Sequence, residues 1–586
     1  MRPLKGREPE ETARTQSRFH TAIELLGNRQ RLLVVLLTLG RIAVGFCDLL
    51  VAAAMYLMFL LLQGHAVKHY VLWTPTTVLS AAAITTVLVV LRGLMDYYSA
   101  RATLHQIQNL HTSLLLRLTD GYSRMQWNRF VECNRSELLG RALQTTREAA
   151  DFYHRCIELA ANVVVVAVMT AALVYQSLAA ACALGFAVLA FYAGHRFVVR
   201  RKLQVAAANR EGSLRLLQHY MADMLSSGKE IRTYRNQGFF QDRIRRQAEH
   251  VAVNNLHVVF LPQLARIAAD QGAVLLFLFI VIGVELRQGD ITRLLSLLVF
   301  YFVLSRRLLP LISQISFLAG QMDGSYENVK TIASDLNDCR TYRDSALAAL
   351  LPDSGRVLQM TAVNFSFPGR EWILRNVNLS MRQGETIVLR GASGMGKTSL
   401  LNLVAGLTQP LSGTVRVDRA SIAYVPQEIT LLDDSIRNNL LFGLPGKPDR
   451  ELMKALELAK LDEFVTAQAL GLDAMVGDNG ALFSGGERQR LGLARAILRG
   501  NRLLLLDEAT SALDEENQKQ ILENLNASGK SILLVTHRVH THAFGHRIFR
   551  LEEGSLVEET IPLPVLATAP GDVADKGTQM DRLDEG

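Results

Sequence analysis

Six runs of apolar residues dominate the first half of this chain: residues 32–62, 77–91, 159–175, 177–199, 271–286 and 291–311. A helix needs about 20 residues to cross roughly 30 Å of hydrocarbon, and each run is near that length, the second and fifth only by drawing on more polar flanks. A hydrophobic fraction of 49% and a mean hydropathy of +0.16 over 586 residues are too high for a wholly water-soluble protein. The runs therefore predict an all-α transmembrane domain of six helices.

The connections between the runs are unequal. Residues 64–76, 175–176 and 287–290 are brief, whereas 92–158 and 196–266 are long. The second long connection carries about a dozen Lys and Arg, which by the positive-inside tendency puts both long connections and both termini in the cytosol. Helical periodicity persists in them, as in LHTSLLLRLTDGY and EGSLRLLQHYMADML, so the spans should continue past the bilayer as an intracellular stalk. The net charge of +8 is spread between the spans, an orientation signal that does not point to nucleic acid. Cys47, Cys133, Cys156, Cys182 and Cys339 are odd in number, scattered and without a C-x-x-C pair, which predicts neither a disulfide framework nor a zinc site. The first thirty residues are polar, with no apolar core before a small-residue cleavage site, so no signal peptide is expected.

After Asp335 the pattern changes to short β-rich runs, VLQMTAVNFSF, TIVLRGA, SIAYVPQ, LLLLDEA and SILLVTH, alternating with helical stretches. Near-continuous apolar strands are expected of a sheet covered on both faces, which predicts an α/β P-loop NTPase domain. GASGMGKT, residues 391–398, follows the strand TIVLR and precedes the helical TSLLNLVAGL. In that context Gly391, Ala392, Ser393, Gly394, Met395 and Gly396 supply backbone N–H groups around phosphate oxygens, Lys397 reaches the β- and γ-phosphates, and Thr398 can ligate Mg²⁺ beside Ser399. LLLLDE, residues 503–508, ends a buried strand on two carboxylates, Asp507 suited to the Mg²⁺ shell and Glu508 to polarising an attacking water.

GASGMGKT, YVPQ with Gln427, FSGGE, LLLLDE, SALD and VTH with His537 resemble, in order and spacing, the ATP-binding cassette (ABC) ATPases. With the six preceding runs, the chain looks like a half-size ABC exporter of the type IV class. That implies a cytoplasmic segment at 1–30, a transmembrane domain at 31–335, a linker at 336–353, the ATPase domain at 354–558 and a disordered tail at 559–586. The resemblance further implies that Ser484, Gly485, Gly486 and Glu487 cover the γ-phosphate held by a partner subunit, making a homodimer the simplest assembly. It gives Gln427 a role in coupling Mg²⁺ to the membrane domain, Asp514 a place at the dimer contact, and His537 a contact to the γ-phosphate. Phe367 stands where the family has an adenine-stacking tyrosine; a core aromatic is its other reading. ATP and Mg²⁺ are the implied cofactors. Glu487 and Phe483 depart from the common signature, and the passage from SGTVRVD to SIAYVPQ is short, which trims the β-subdomain. Stretches 126–134 and 225–235 match the family's coupling positions.

Cargo is less constrained. Arg92, Arg266, Arg306 and Arg307 fall in or near the cytoplasmic halves of spans two, five and six. Either they pair locally, Arg92 with Asp96 and Arg266 with Asp270, or they face a cavity and fork onto an anionic head group. The membrane half looks most similar to bacterial lipid-linked oligosaccharide flippases, which implies a lipid-linked glycan as cargo and a multi-pass protein of the bacterial inner membrane. Export of a small peptide is the chief alternative, followed by hydrophobic drug efflux and a non-transporting ABC regulator.

Overall fold

The computed structural model of the chain describes residues 21–62, 77–176, 201–286, 291–343, 355–367 and 371–559. It divides into two compact units, Met1–Met125 with Cys133–Arg343, and Gln126–Glu132 with Asp344–Gly586.

The first unit is helical. Its described helices are α1 (Asn28–Leu62), α2 (Val78–Ser123), then beyond the short α3 (Trp127–Glu132) of the other unit, α4 (Arg135–Gly140), a π turn (Arg141–Thr145), α5 (Thr146–Gln176), α6 (Arg201–Ser226), α7 (Gly228–Tyr234), α8 (Gln237–Leu286) and α9 (Ile291–Thr341). Among the described residues three helices are long and apolar enough to cross a membrane: Asn28–Leu62, Val78–Ser123 and Arg135–Tyr175. The predicted runs at 271–286 and 291–311 lie within α8 and α9, and the run at 177–199 lies outside the described residues, as do the short connections at 64–76 and 287–290. α2 is 46 residues and α9 is 51. At about 1.5 Å per residue each runs roughly twice the hydrocarbon thickness, as a stalk requires. α2 starts where the sequence can cap it: the Thr77 side chain accepts from Ser80 N while the Ser80 hydroxyl takes the Thr77 N–H.

Two cores hold these helices. Leu110, Leu114 and Leu118 of α2, spaced one helical turn apart, meet Ala149, Phe152 and Tyr153 of α5 and Val329, Ile332 and Leu336 of α9 beyond the apolar runs. Within the runs, Ala52, Val165, Met169, Leu173, Leu304, Leu308 and Leu311 form a second cluster. Gly45 lets α1 and α5 approach: a Cβ there would stand 2.1 Å from Val165 Cγ2. The stretches at 126–134 and 225–235 contain the short helices α3 and α7.

The second unit holds nine described strands. β1 (Arg356–Phe365), β2 (Leu374–Arg382) and β4 (Ser412–Val417) form an antiparallel sheet in the order β2-β1-β4. β3 (Thr386–Arg390), β5 (Ile422–Val425), β6 (Leu503–Asp507), β7 (Ser531–Val535), β8 (Arg547–Glu552) and β9 (Ser555–Glu559) form the second, in the order β5-β6-β7-β3-β8-β9, parallel except for β9. Successive residues of β6 serve opposite faces: Leu503 and Leu505 join one core cluster, Leu504 and Leu506 the other, and all four are fully buried. That explains the unbroken LLLL, since a period-2 side-chain alternation with apolar layers on both sides leaves no position for a polar residue. The short passage between β4 and β5 is a single 3-10 turn, Arg419–Ser421, capped by the Asp418 side chain accepting from Ala420 N.

Candidate functional site

The predicted nucleotide residues follow the carboxyl ends of four parallel strands. Gly391 follows β3, Gln427 comes two residues after β5, Asp507 closes β6 with Glu508 next, and His537 comes two residues after β7. A ligand in an open parallel sheet binds at this edge, because strand ends and helix starts leave backbone groups and short loops there.

The phosphate loop joins β3 to α10 (Lys397–Ala405). Gly394 and Gly396 have φ of +83° and +100°, and a Cβ at Gly396 would stand 2.5 Å from Ile373 Cγ2. The loop's path therefore needs glycine at these points. Lys397 is buried, and its Nζ donates to the carbonyls of Gly391 at 2.8 Å and Ala392 at 3.0 Å, so the ammonium is anchored inside the loop's curl. Ala392, Ser393, Met395 and Ser399 line the same turn and helix start.

Asp507 is buried at the end of β6, where its Oδ2 accepts from the Tyr424 hydroxyl at 3.2 Å and its carboxyl bonds the Thr398 side chain. Burial pushes its pKa above the ordinary carboxylate value, against the pull of those bonds and of Lys397. Glu508 takes φ +49°, a left-handed conformation unusual for a residue with a long side chain, and its N–H is held by Val535 O at 3.0 Å. Its carboxylate accepts from Gln427 Nε2 at 3.0 Å and lies 3.7 Å from His537 Nδ1. Thr398 and Asp507, bonded to each other, offer hydroxyl and carboxylate oxygens, a donor set that suits a hard, oxygen-preferring cation such as Mg²⁺.

Ser484 caps α13 (Gly485–Leu498). Its Oγ accepts from Glu487 N at 3.3 Å while Glu487 Oε2 takes the Ser484 N–H at 2.7 Å. Glu487 thus completes a capping box. Phe483 is buried against Phe464 with ring centroids 5.2 Å apart, which makes it a core residue. A cavity of about 380 Å³ is lined by Gln427, Gly485, Arg488, Gln489 and Ala512 among others, so the loop after β5 and the start of α13 face one space. Phe367 is half-buried, packs against the core cluster of β1 and meets Phe365 edge-on at 5.1 Å.

Asp514, which the sequence singled out, and several residues that it did not lie around these groups. Asp514 is the N-cap of α14 (Glu515–Ala527), accepting from Asn517 N, and those bonds lower its pKa. Gln489 ties α13 to the loop before α14, accepting from Ala512 N at 2.8 Å and donating to Ser511 Oγ at 3.2 Å. Arg538 binds the same loop through the carbonyls of Ser511 and Leu513 and the Gln518 side chain. Tyr424 sits inside the YVPQ stretch and Arg538 directly after VTH, next to the motif residues Gln427 and His537.

The membrane unit holds a charged cluster. Arg41 bonds Asp96 at 3.1 Å and Glu158 at 2.9 Å, and Arg92 bonds Asp48 at 2.9 Å. The expected Arg92–Asp96 pair is present at 3.8 Å, and Arg307 Nε lies 2.9 Å from Asp48 Oδ2. A cavity of about 220 Å³ adjoins it, lined by Arg41, Asp96, Glu158, Asn162, Arg307 and Gln314 among others. The side chains of Arg266, Asp270 and Arg306 lie outside the described residues. Asp48 and Arg41 were visible in the sequence as charges within the first apolar run.

A family model described as ABC transporter matches residues 374–511. The chain is 38% identical over 218 residues, 34% of its length and 37% of the relative's, to the ATP-dependent lipid A-core flippase of Alkalilimnicola ehrlichii. It is 29% identical over 388 residues, 63% and 62%, to the ATP-dependent lipid A-core flippase of Pseudomonas aeruginosa, and 33% identical over 282 residues, 45% and 46%, to the heterocyst differentiation ATP-binding protein HepA of Nostoc. The chain thus spans between about a third and three fifths of the length of these curated relatives. A solved bacterial Atm1-family ABC exporter with ATP bound shares its fold, with a TM-score of 0.68 at 20% identity over 90% of this chain and 94% of that one.

Proposed function

We propose that this chain, a helical membrane domain followed by a domain matched by the ABC transporter family model, is an ABC half-transporter that hydrolyses ATP to move an amphipathic, anionic, lipid-linked molecule from the cytoplasmic side of a membrane. The observation that carries the ATPase reading is the convergence of Lys397, Asp507, Glu508, Gln427 and His537 at one edge of the parallel sheet.

In this reading the loop 391–396 wraps the phosphates with its N–H groups, and Lys397 moves from the loop carbonyls to the β- and γ-oxygens. Mg²⁺, when bound, would neutralise phosphate charge beside Thr398, Asp507 and Gln427. Glu508 orients water for in-line attack, and its strained backbone and the Gln427 bond hold the carboxylate in one place for that task. His537 contacts the γ-phosphoryl group and Phe367 stacks on the base. The capping box satisfies the N–H groups of Ser484 and Glu487, and those of Gly485 and Gly486 face the γ-phosphate bound by a second, identical subunit. Asp514 lies at the contact between the two. Alternating closure and release of the ATPase domains drives the membrane domain between inward and outward openings.

For cargo, the arginines of the membrane cluster and two relatives named as lipid A-core flippases support an anionic head group on a lipid. In this reading the protein is an inner-membrane flippase of a bacterium with both termini in the cytosol. Reconstitution into proteoliposomes, with ATPase rate and inner-to-outer movement of a fluorescent anionic lipid read together, tests this. Hydrolysis without movement would leave an ABC ATPase that regulates and does not transport.

A further inference from the structure

We propose that Asp48 is an internal stand-in for the cargo's anionic group: it occupies the Arg92–Arg307 pair, ties α1 to α9, and is displaced when cargo binds. The inference rests on the anionic-cargo reading above and adds how that site is regulated.

Among the described residues the cluster is electroneutral, with Arg41, Arg92 and Arg307 matched by Asp48, Asp96 and Glu158. Charges among apolar helices persist only when paired, so an incoming anion must take over a guanidinium that a carboxylate now holds. Asp48 is the replaceable one. Among the described residues, Asp96 and Glu158 both hold Arg41, with Asp96 also 3.8 Å from Arg92 of its own helix, whereas Asp48 bridges two guanidiniums from two other helices, α2 and α9. Its two arms differ. Arg92 Nε donates a hydrogen bond to Asp48 Oδ1 at 2.9 Å, but Arg307 Nε reaches Oδ2 at the same distance without the alignment of a hydrogen bond, leaving Oδ2 buried and charge-paired only.

Arg307 is also the most accessible member of the cluster, its side chain 44% exposed against 15% for Asp48, and it lines the adjoining cavity. Three residues along α9, Pro310 has no N–H to bond the carbonyl of residue 306, which loosens the turn that carries Arg307. A second buried polar atom without a hydrogen-bond partner, the donor Arg41 Nε, belongs to a residue that lines the same cavity. The weaker arm is thus the mobile one: a phosphate in the cavity takes Arg307 by the fork geometry that suits it, and Asp48 keeps Arg92. No covalent step is involved. Exchange breaks the α1–α9 ion pair and leaves these helices joined through the apolar cluster of Ala52, Leu304, Leu308 and Leu311, which converts cargo binding into easier rearrangement of the two.

The test uses the full-length protein in phosphatidylcholine nanodiscs doped with increasing phosphatidic acid, a phosphomonoester lipid, with ATPase rate as readout. Asp48→Asn removes the competitor and the tie, so the basal rate should rise and the half-stimulating lipid fraction should fall about tenfold, the effect of roughly 1.4 kcal/mol of relieved competition. Arg307→Gln also breaks the tie, so its basal rate should rise, but phosphatidic acid should add little. An unchanged or increased half-stimulating fraction in Asp48→Asn, or an unchanged basal rate in Arg307→Gln, overturns the exchange; the second variant decides alone if the first does not assemble. Absence of any response of the unsubstituted protein to phosphatidic acid, while phosphatidylcholine alone supports turnover, overturns the anionic-cargo reading itself and the exchange with it.

Discussion

Gln427 Nε2 donates to Glu508 Oε2 at 3.0 Å, joining the loop after one strand to the carboxylate after its neighbour. The bond fixes the side chain of Glu508, whose backbone is left-handed at φ +49°, and connects it to the loop that also borders the cavity shared with Gly485. A change at either residue should therefore be read in both nucleotide turnover and its coupling.

Glu508→Gln keeps the shape of the side chain and removes its charge. Nucleotide binding should persist, while steady-state phosphate release falls by about 10²–10⁴, the usual loss for a positioned base. Normal phosphate release in this variant would remove Glu508 from the role assigned to it.

Ser484 separates two roles through one substitution. Aspartate caps helices as well as serine does, so Ser484→Asp should leave the melting temperature nearly unchanged. Its carboxylate, however, would face a partner's γ-phosphate, and ATPase activity should drop more than tenfold through like-charge repulsion of about 1.4 kcal/mol or more. Retained activity would confine Ser484 to capping.

Asp507 is buried and its pKa is raised, so ionising it costs the folded state more than the unfolded one. Its protonated form contributes stability below the ordinary aspartate range, and that contribution is lost as pH rises through the folded value. Asp507→Asn should accordingly raise the melting temperature of the nucleotide-free protein at neutral pH, with the gain shrinking as pH falls below the ordinary range, while Mg²⁺-dependent hydrolysis is lost. Melting curves across pH decide it; a variant less stable than the parent at pH 7 would contradict the burial argument.

Phe367 lies edge-on to Phe365, and its proposed second role is to stack on adenine. Phe367→Tyr should bind ATP like the parent, whereas Phe367→Ala should lose about 1–3 kcal/mol of affinity for ATP, with a smaller loss for the ribose-free triphosphate. Equal losses for both ligands, measured by calorimetry on folded protein, would assign the ring to the core alone.

Much of this protein was legible before any coordinates. GASGMGKT between strand and helix, and LLLLDE as a strand buried on both faces, are local patterns: the glycines that permit φ near +83° and +100° and the four leucines serving alternate faces are adjacent in the chain, so their spacing carries their geometry. The apolar runs likewise announced long helices, because length and hydropathy are sums over neighbours. What the sequence could not contain was the meeting of distant residues. Arg92 pointed to Asp96, four positions away, yet its closer partner is Asp48, 44 residues back on another helix. Tyr424 reaches Asp507 across 83 positions and Gln427 reaches Glu508 across 81. From sequence alone come the phosphate loop, the acidic strand end and the membrane-length helices, since each depends on backbone rules acting over a few residues. Tertiary packing alone chose which carboxylate faces which guanidinium, because that choice is made by helix contacts and desolvation, which no linear spacing records.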